Sequence, residues 1–199
     1  MFVQVIEART SDPEGLRKQL DKWMAELRPG ATGYIGTTSG VAADGRTVAL
    51  VRFESEDAAR ANSDRPEQAA WWSEMEKLLD NPQFSESSDV TTFLAGGSDD
   101  AGFVQVMKAA GVDRAKVEEG DRQFERVAAE LRPDLIGSLR AWTAPGDFIE
   151  ANYFTSEAAA RKGEQTPPPP EMQAAFSEFM EMMKDAEFID LTEPFLHSA

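Results

Sequence analysis

Phe53-Glu54-Ser55-Glu56-Asp57-Ala58-Ala59-Arg60 returns further along the chain as Phe154-Thr155-Ser156-Glu157-Ala158-Ala159-Ala160-Arg161. Matches in the same order extend outward from this stretch. Phe2-Val3-Gln4-Val5 recurs as Phe103-Val104-Gln105-Val106, and Ala25-Glu26-Leu27-Arg28-Pro29 as Ala129-Glu130-Leu131-Arg132-Pro133. Ile35-Gly36 matches Ile136-Gly137, Gly45 matches Gly146, Ser73-Glu74 matches Ser177-Glu178, and Phe93-Leu94 matches Phe195-Leu196. An ordered set of matches at an offset of 101 to 104 residues marks an internal duplication. The 199 residues therefore read as two repeats, 1–96 and 103–199, joined by a Gly/Ser/Asp linker over 97–102.

Each repeat reads as βαββαβ. Residues 2–8 are rich in β-branched and aromatic side chains, as a strand requires. Asp12-Pro13 supplies an N-cap and a first-turn proline. Leu16, Leu20, Trp23, Met24 and Leu27 then share one helical face, and Pro29-Gly30 ends the helix. In the second repeat Asp113 caps, and Val117, Phe124, Val127 and Leu131 form the apolar face. Strands are predicted near 33–42 and 46–53, turning through Asp44-Gly45. The second helix carries Trp72, Met75 and Leu79, matched by Phe176, Phe179 and Met183. A last strand is expected at 89–95, with its counterpart near 188–196. Pro167–Pro170 read as a stiff connector. Two helices on one face of a four-stranded antiparallel sheet leave the other face bare. Two such repeats predict an α+β fold packed sheet-to-sheet, consistent with the unbroken apolar run Val48-Ala49-Leu50-Val51.

Composition removes whole classes of chemistry. Twenty Lys+Arg against 36 Asp+Glu give a formal charge of −16, which argues against nucleic acid and anionic membrane surfaces. Most of that charge reads as a solvated face. With 41% hydrophobic residues the chain can bury a core, yet it has no apolar run of membrane-spanning length. Met1-Phe2-Val3-Gln4-Val5-Ile6-Glu7 lacks the pattern of a signal peptide, so a cytoplasmic protein is expected. There is no cysteine, and His197 is the only histidine, so thiol chemistry and multi-histidine metal sites are not expected. No phosphate-loop, dinucleotide or EF-hand motif occurs, and Gly36-Thr37-Thr38-Ser39-Gly40 fits none of them.

The tandem βαββαβ pattern resembles the dimeric α+β barrel superfamily, and within it the antibiotic-biosynthesis monooxygenase-type group, here as a fused pseudo-dimer. The resemblance implies ferredoxin-like halves joined into an intrachain α+β barrel. It also implies a small-molecule cavity between helices and sheet, no cofactor, and a monomer whose halves replace two subunits. Members include cofactor-free oxygenases of aromatic polyketides and haem-degrading enzymes. The haem branch needs a proximal histidine by a helix, which this chain lacks, and His197 is expected on a frayed tail.

The halves differ where a site could lie. Taking the register from Gly146, residue 142 would face 149 and residue 140 would face 151. Arg140, Trp142 and Tyr153 would then share one face, with Glu150 and Asn152 on the other. The first-half counterparts are Ser39, Val41 and Arg52, then Ala49 and Val51. The expected pocket is therefore in the second half. Asn152 would stabilise a ligand oxygen, Glu150 would act as base, and Arg140, Trp142 and Tyr153 would contact the ligand. Alternatively, Glu150 pairs with a nearby basic residue, or the stretch is solvated. Trp72 reads as core, and Trp71, matched by Ala175, as the freer tryptophan, at a cavity edge or packed at an interface. Gln4 and Gln105 either orient a ligand or hydrogen-bond within the sheet. Two functions follow: a cofactor-independent monooxygenase acting on aromatic polyketide-like compounds, or a non-catalytic ligand-binding or structural protein.

Overall fold

The computed structural model describes residues 1–94 and 96–199. Ala95, the last residue of the strand expected at 89–95, lies outside them. The chain divides into two units, 1–90 with 193–199, and 91–192.

The first unit contains β1 (Phe2–Arg9), α1 (Pro13–Lys22), β2 (Tyr34–Val41), β3 (Arg46–Phe53), α2 (Glu56–Ser63), α3 (Pro66–Met75) and β4 (Asp80–Ser87). Its sheet is completed from the far end of the chain by β10 (Phe195–Ser198), giving the order β10-β2-β3-β1-β4. The second unit takes β5 (Val90–Leu94) from the end of the first repeat. It continues with β6 (Phe103–Ala109), α4 (Arg114–Glu125), α5 (Ala128–Leu131), β7 (Leu135–Ala144), β8 (Asp147–Phe154), α6 (Glu157–Glu164), α7 (Gln173–Met182) and β9 (Glu187–Leu191). Its order, β5-β7-β8-β6-β9, is the same pattern. Within both sheets four strands keep the ferredoxin-like arrangement, and the fifth is exchanged between repeats.

Two expectations are corrected here. The ten strands form two open five-stranded sheets and do not close into one barrel. The final strand of each repeat is also two strands: β4 and β9 complete the four-stranded core, while β5 and β10 join the other repeat's sheet. Polar β4, with Asp80, Asn81 and Pro82 at its start, lacks the apolar alternation that marks a strand in sequence.

The repeated sequence explains the repeated elements. Ser55 and Ser156, both inside the opening stretch, cap α2 and α6 by accepting from the N–H groups of Ala58 (3.1 Å) and Ala159 (3.2 Å). Gly36 and Gly137 lie where the exchanged segments come closest. A Cβ at Gly36 would meet His197 O at 2.5 Å, and one at Gly137 would meet Gly96 O at 2.0 Å. Glycine is therefore a packing requirement at both positions. Gly45 (φ +84°) and Gly146 (φ +81°) take the left-handed conformation their hairpins need.

The second hairpin departs from the expected register. Ala144 pairs with Asp147, but Trp142 then pairs with Phe148 and Arg140 with Glu150. Thr143 is an extra residue on β7, a bulge that slips the register by one and so moves side chains between faces. Glu150 and Asn152 accordingly share a face with Arg140 and Trp142, and Tyr153 lies on the opposite face. His197 is likewise no frayed end: it pairs with Thr37 in β10, and its ring lies 6.1 Å from that of Tyr34.

The first unit's core joins Leu16 and Leu20 of α1, and Trp23 and Leu27 of the π-turn that continues it, to Phe53 and Met75. On the opposite face of the sheet Val48 and Leu50 are fully buried as well.

Candidate functional site

The helix-facing side of the first sheet is built from small residues. Ser39 pairs with Ala49, Thr37 with Val51, and Val41 with Thr47. Side chains this short cannot fill the space up to α1 and α3, and a cavity of about 420 Å³ remains. Although β3 is flanked by strands on both sides, Ala49 and Val51 are only half-buried because they open into this space. Its size falls within the range of about 300–1,000 Å³ typical of small-molecule sites.

Aromatic rings form its walls. Trp23 and Trp71 meet edge-on at 6.5 Å, as do Trp72 and Phe84 at 5.3 Å, and Trp71 and Trp72 are tilted at 6.2 Å. Trp71 is the more buried of the adjacent tryptophans, at 9% exposure, and its indole N–H donates to Gln19 O at 2.9 Å. Trp72 is only partly buried, which reverses their expected roles: α3 turns Trp71 toward α1. Phe84 of edge strand β4 is 58% exposed and lines the cavity where it opens.

The polar groups in the lining are all neutral: Gln4, Thr37, Ser39, Thr47, Asn62 and Gln68, with Ser63 at the rim. Among the described residues no ionisable side chain lines the cavity. Gln4 Nε2 donates to Glu86 at 3.0 Å, and Gln105 Nε2 donates to Asp190 at the same distance, so both repeated glutamines pair with a carboxylate on the neighbouring strand.

At the equivalent place in the second unit, large and charged side chains occupy this space. Arg140 stands for Ser39, Glu150 for Ala49, and Phe148 for Thr47. Arg140 donates from Nε (3.0 Å) and Nη2 (2.8 Å) to Glu150 Oε2, and from Nη1 (2.5 Å) and Nη2 (3.0 Å) to Asp121 of α4. Ser138 Oγ donates to the other Glu150 oxygen at 2.5 Å. Arg140 and Glu150 are 6% and 7% exposed. Burial alone would lower the Arg140 pKa, but the charges of Glu150 and Asp121 and their hydrogen bonds outweigh it and hold the pKa above its ordinary value. Trp142 meets Phe148 edge-on at 5.1 Å, with the Arg140 guanidinium 4.8 Å from the Phe148 centroid. Between α4 and α7 lies a smaller groove of about 260 Å³, lined by Glu119, Gly120 and Phe179 among others.

The sequence-selected residues therefore separate. Arg140, Trp142 and Glu150 come together as a packed, charge-paired cluster. Asn152 lies beside them, half-buried and opposite Ser138. Tyr153 is fully buried on the other face, and Trp71 lines the first-unit cavity. Ser39, Asn62 and Gln68 were not singled out in the sequence. The available signal was volume: serine and alanine stand where the other half has arginine and glutamate. Among the described residues no group of three His, Asp or Glu side chains could hold a metal ion. Among the described residues no helix is long and apolar enough to cross a membrane.

No family model and no curated protein matches the chain. Solved structures do match over its whole length. A "putative monooxygenase" from Lactobacillus acidophilus NCFM superposes with a TM-score of 0.70 at 13% identity, over 99% of this chain and 95% of that one. A second "putative monooxygenase", from Fusobacterium nucleatum, gives 0.72 at 8% identity over 99% and 94%. A protein described as anthrone oxidase-like gives 0.63 at 15% identity over 100% and 93%. The fold is thus that of these solved proteins, with two ferredoxin-like α+β copies in tandem in a single chain. At these identities the likeness extends to the fold alone.

Proposed function

We propose that the first-unit cavity binds an uncharged, oxygen-bearing polycyclic aromatic compound, and that the protein is a cofactor-independent monooxygenase acting on it. The observation that carries this is the cavity itself: aromatic walls, neutral hydrogen-bonding groups and no ionisable lining side chain. A charged ligand would lose its hydration there without gaining a counter-ion. Planar rings gain stacking and apolar burial.

For an anthrone-type substrate the reaction converts a CH₂ group and O₂ into C=O and H₂O. The substrate loses a proton, and the carbanion gives one electron to O₂. The substrate radical and superoxide combine to a peroxide, which takes back a proton and eliminates water. Since no base lines the cavity, the first proton leaves to solvent at the mouth near Phe84. The protein's contribution is to stack the rings and to place donors where negative charge develops on the substrate oxygen. The residues singled out in the sequence, Glu150 and Asn152, take no part in this scheme.

The same lack of a lining base favours a second reading, a protein that binds such a compound without turnover. Titration with 1,8-dihydroxyanthrone, followed by quenching of Trp23, Trp71 and Trp72, combined with an oxygen electrode, separates the two. Saturable quenching with oxygen uptake above the uncatalysed rate and formation of the quinone is the expected result. Quenching without added uptake leaves a binding protein, and no quenching removes both.

A further inference from the structure

Among the described residues of the first unit, Arg52 is the only buried side chain that carries a charge, at 4% exposure. It follows Val51, which lines the cavity, so it lies on the opposite face of the sheet with fully buried Val48 and Leu50. A Cβ at Gly36 would meet Arg52 Nη2 at 2.3 Å and His197 O at 2.5 Å, so the guanidinium lies over that glycine, beside the backbone of β10. The buried arginine of the second unit shows a satisfied arrangement: Arg140 divides four hydrogen bonds between Glu150 and Asp121. Arg52 has no such partners. Its Nε is closed off from solvent without a hydrogen bond, and no described residue accepts from its guanidinium. Strand pairing sets its surroundings: Val3, Gly36, Ser87 and Ser198 share its row across the sheet, and Thr38 and Leu50 the next row. None is acidic. Glu7, on this face of β1, stands opposite Val48, four residues along β3 and so about 13 Å away at the rise of a strand. Glu54, just beyond β3, is exposed and makes no ion pair with it. A buried cation without a counter-charge is costly. The second repeat has neutral, fully buried Tyr153 at the matching position, so the fold itself does not require a cation there.

We infer that Arg52 is the cation of an anion-binding site in the first unit, across β3 from the cavity, and that the site takes a small oxyanion, a carboxylate or phosphate group. The planar fork of a guanidinium donates in pairs, which matches two oxygens carried on one carbon or phosphorus. A halide is a single acceptor and matches that fork less well. The site is separate from the aromatic cavity and does not depend on what that cavity binds. Because the guanidinium lies beside β10, an anion held there also secures the strand that supplies Phe195 to the cavity lining.

Thermal melts of the intact protein at constant sodium concentration, with chloride replaced stepwise by millimolar phosphate or acetate, test this. A chain of formal charge −16 gathers cations at its surface, so a response to the identity of a millimolar anion isolates a local site. The expected result is a saturable rise in Tm of about 5 °C with phosphate or acetate, the larger rise identifying the group preferred. Arg52→Met should melt higher than wild type in chloride, since it removes a buried unpaired charge, and should lose the rise. Arg52→Tyr, which copies the second repeat, should also lose it, and keeps the test open if Arg52→Met fails to fold. Equal rises in wild type and the folded variants would mean a general salt effect and would overturn the site. A wild type that ignores both phosphate and acetate would overturn it as well.

Discussion

The two halves of this chain show what one backbone pattern does with different side-chain volumes. In the first, Ser39 and Ala49 face each other across β2 and β3 and leave a cavity. In the second, Arg140 and Glu150 face each other at the same place and fill it, with Asp121 and Ser138 completing their hydrogen bonds. A duplicated fold therefore has one open copy and one sealed by its own charges. The polar residues that stand out in the sequence belong to the sealed copy. A site is where side chains leave space, and a buried charge pair marks where that space has been consumed.

The largest effect should come from breaking the seal on one side only. Glu150→Ala leaves the Arg140 guanidinium buried with Asp121 as its remaining partner, and should cost about 3 kcal/mol in urea unfolding. Adding Arg140→Ser to recreate the first-half pair should recover part of that loss, since the two residues form one network. A double variant less stable than Glu150→Ala alone would contradict the comparison.

A smaller effect is expected from filling the open copy. Ala49→Leu grows into existing space and should change stability by less than about 1 kcal/mol, against the roughly 1–3 kcal/mol that overpacking a filled core costs. The same substitution should weaken 1,8-dihydroxyanthrone binding more than tenfold in the quenching titration. Normal binding by a stably folded Ala49→Leu protein would place the site elsewhere.

The smallest contrast lies at Arg60 and Arg161, matched in the repeat. Arg60 pairs with Glu56 alone, with its side chain 70% exposed. Arg161, 35% exposed, bonds Glu157, Glu164 and Asp190. Burial tends to lower its pKa, but the hydrogen bond and charge of Asp190 raise it overall. Arg161→Ala should cost about 1 kcal/mol and Arg60→Ala under about 0.5 kcal/mol, as expected for a network against an isolated exposed pair. Thermal melts of the two variants at pH 7 should show the larger loss for Arg161→Ala. Equal losses at pH 7 would remove this asymmetry.

Much of the architecture was legible because it rests on local signals. Asp12 before Pro13, Ser55 and Ser156 before alanine-rich turns, and Gly45 and Gly146 in hairpins each act through hydrogen bonds or dihedral preferences a few residues long. The strand exchange was not legible, because β5 and β10 read as ordinary ends of their own repeats, and pairing partners of edge strands leave no local mark. The face assignment of Glu150 failed on one residue: the bulge at Thr143 has no compositional signature, yet it slips the register by one. Trp71 and Trp72 exchanged roles because packing against α1, a long-range contact, set which indole turned inward.

The sequence by itself determined the duplication, the α+β class and the order of the first strand, helices and hairpin of each repeat, since these depend on composition and on periodicities within a few residues. Only the tertiary structure decided which strands pair, which half holds the cavity and which buried charges find partners. Those follow from volumes and hydrogen bonds between residues distant in the chain, such as Ser39 with Ala49 or Arg140 with Asp121, and such sums exist only once the backbone has closed around them.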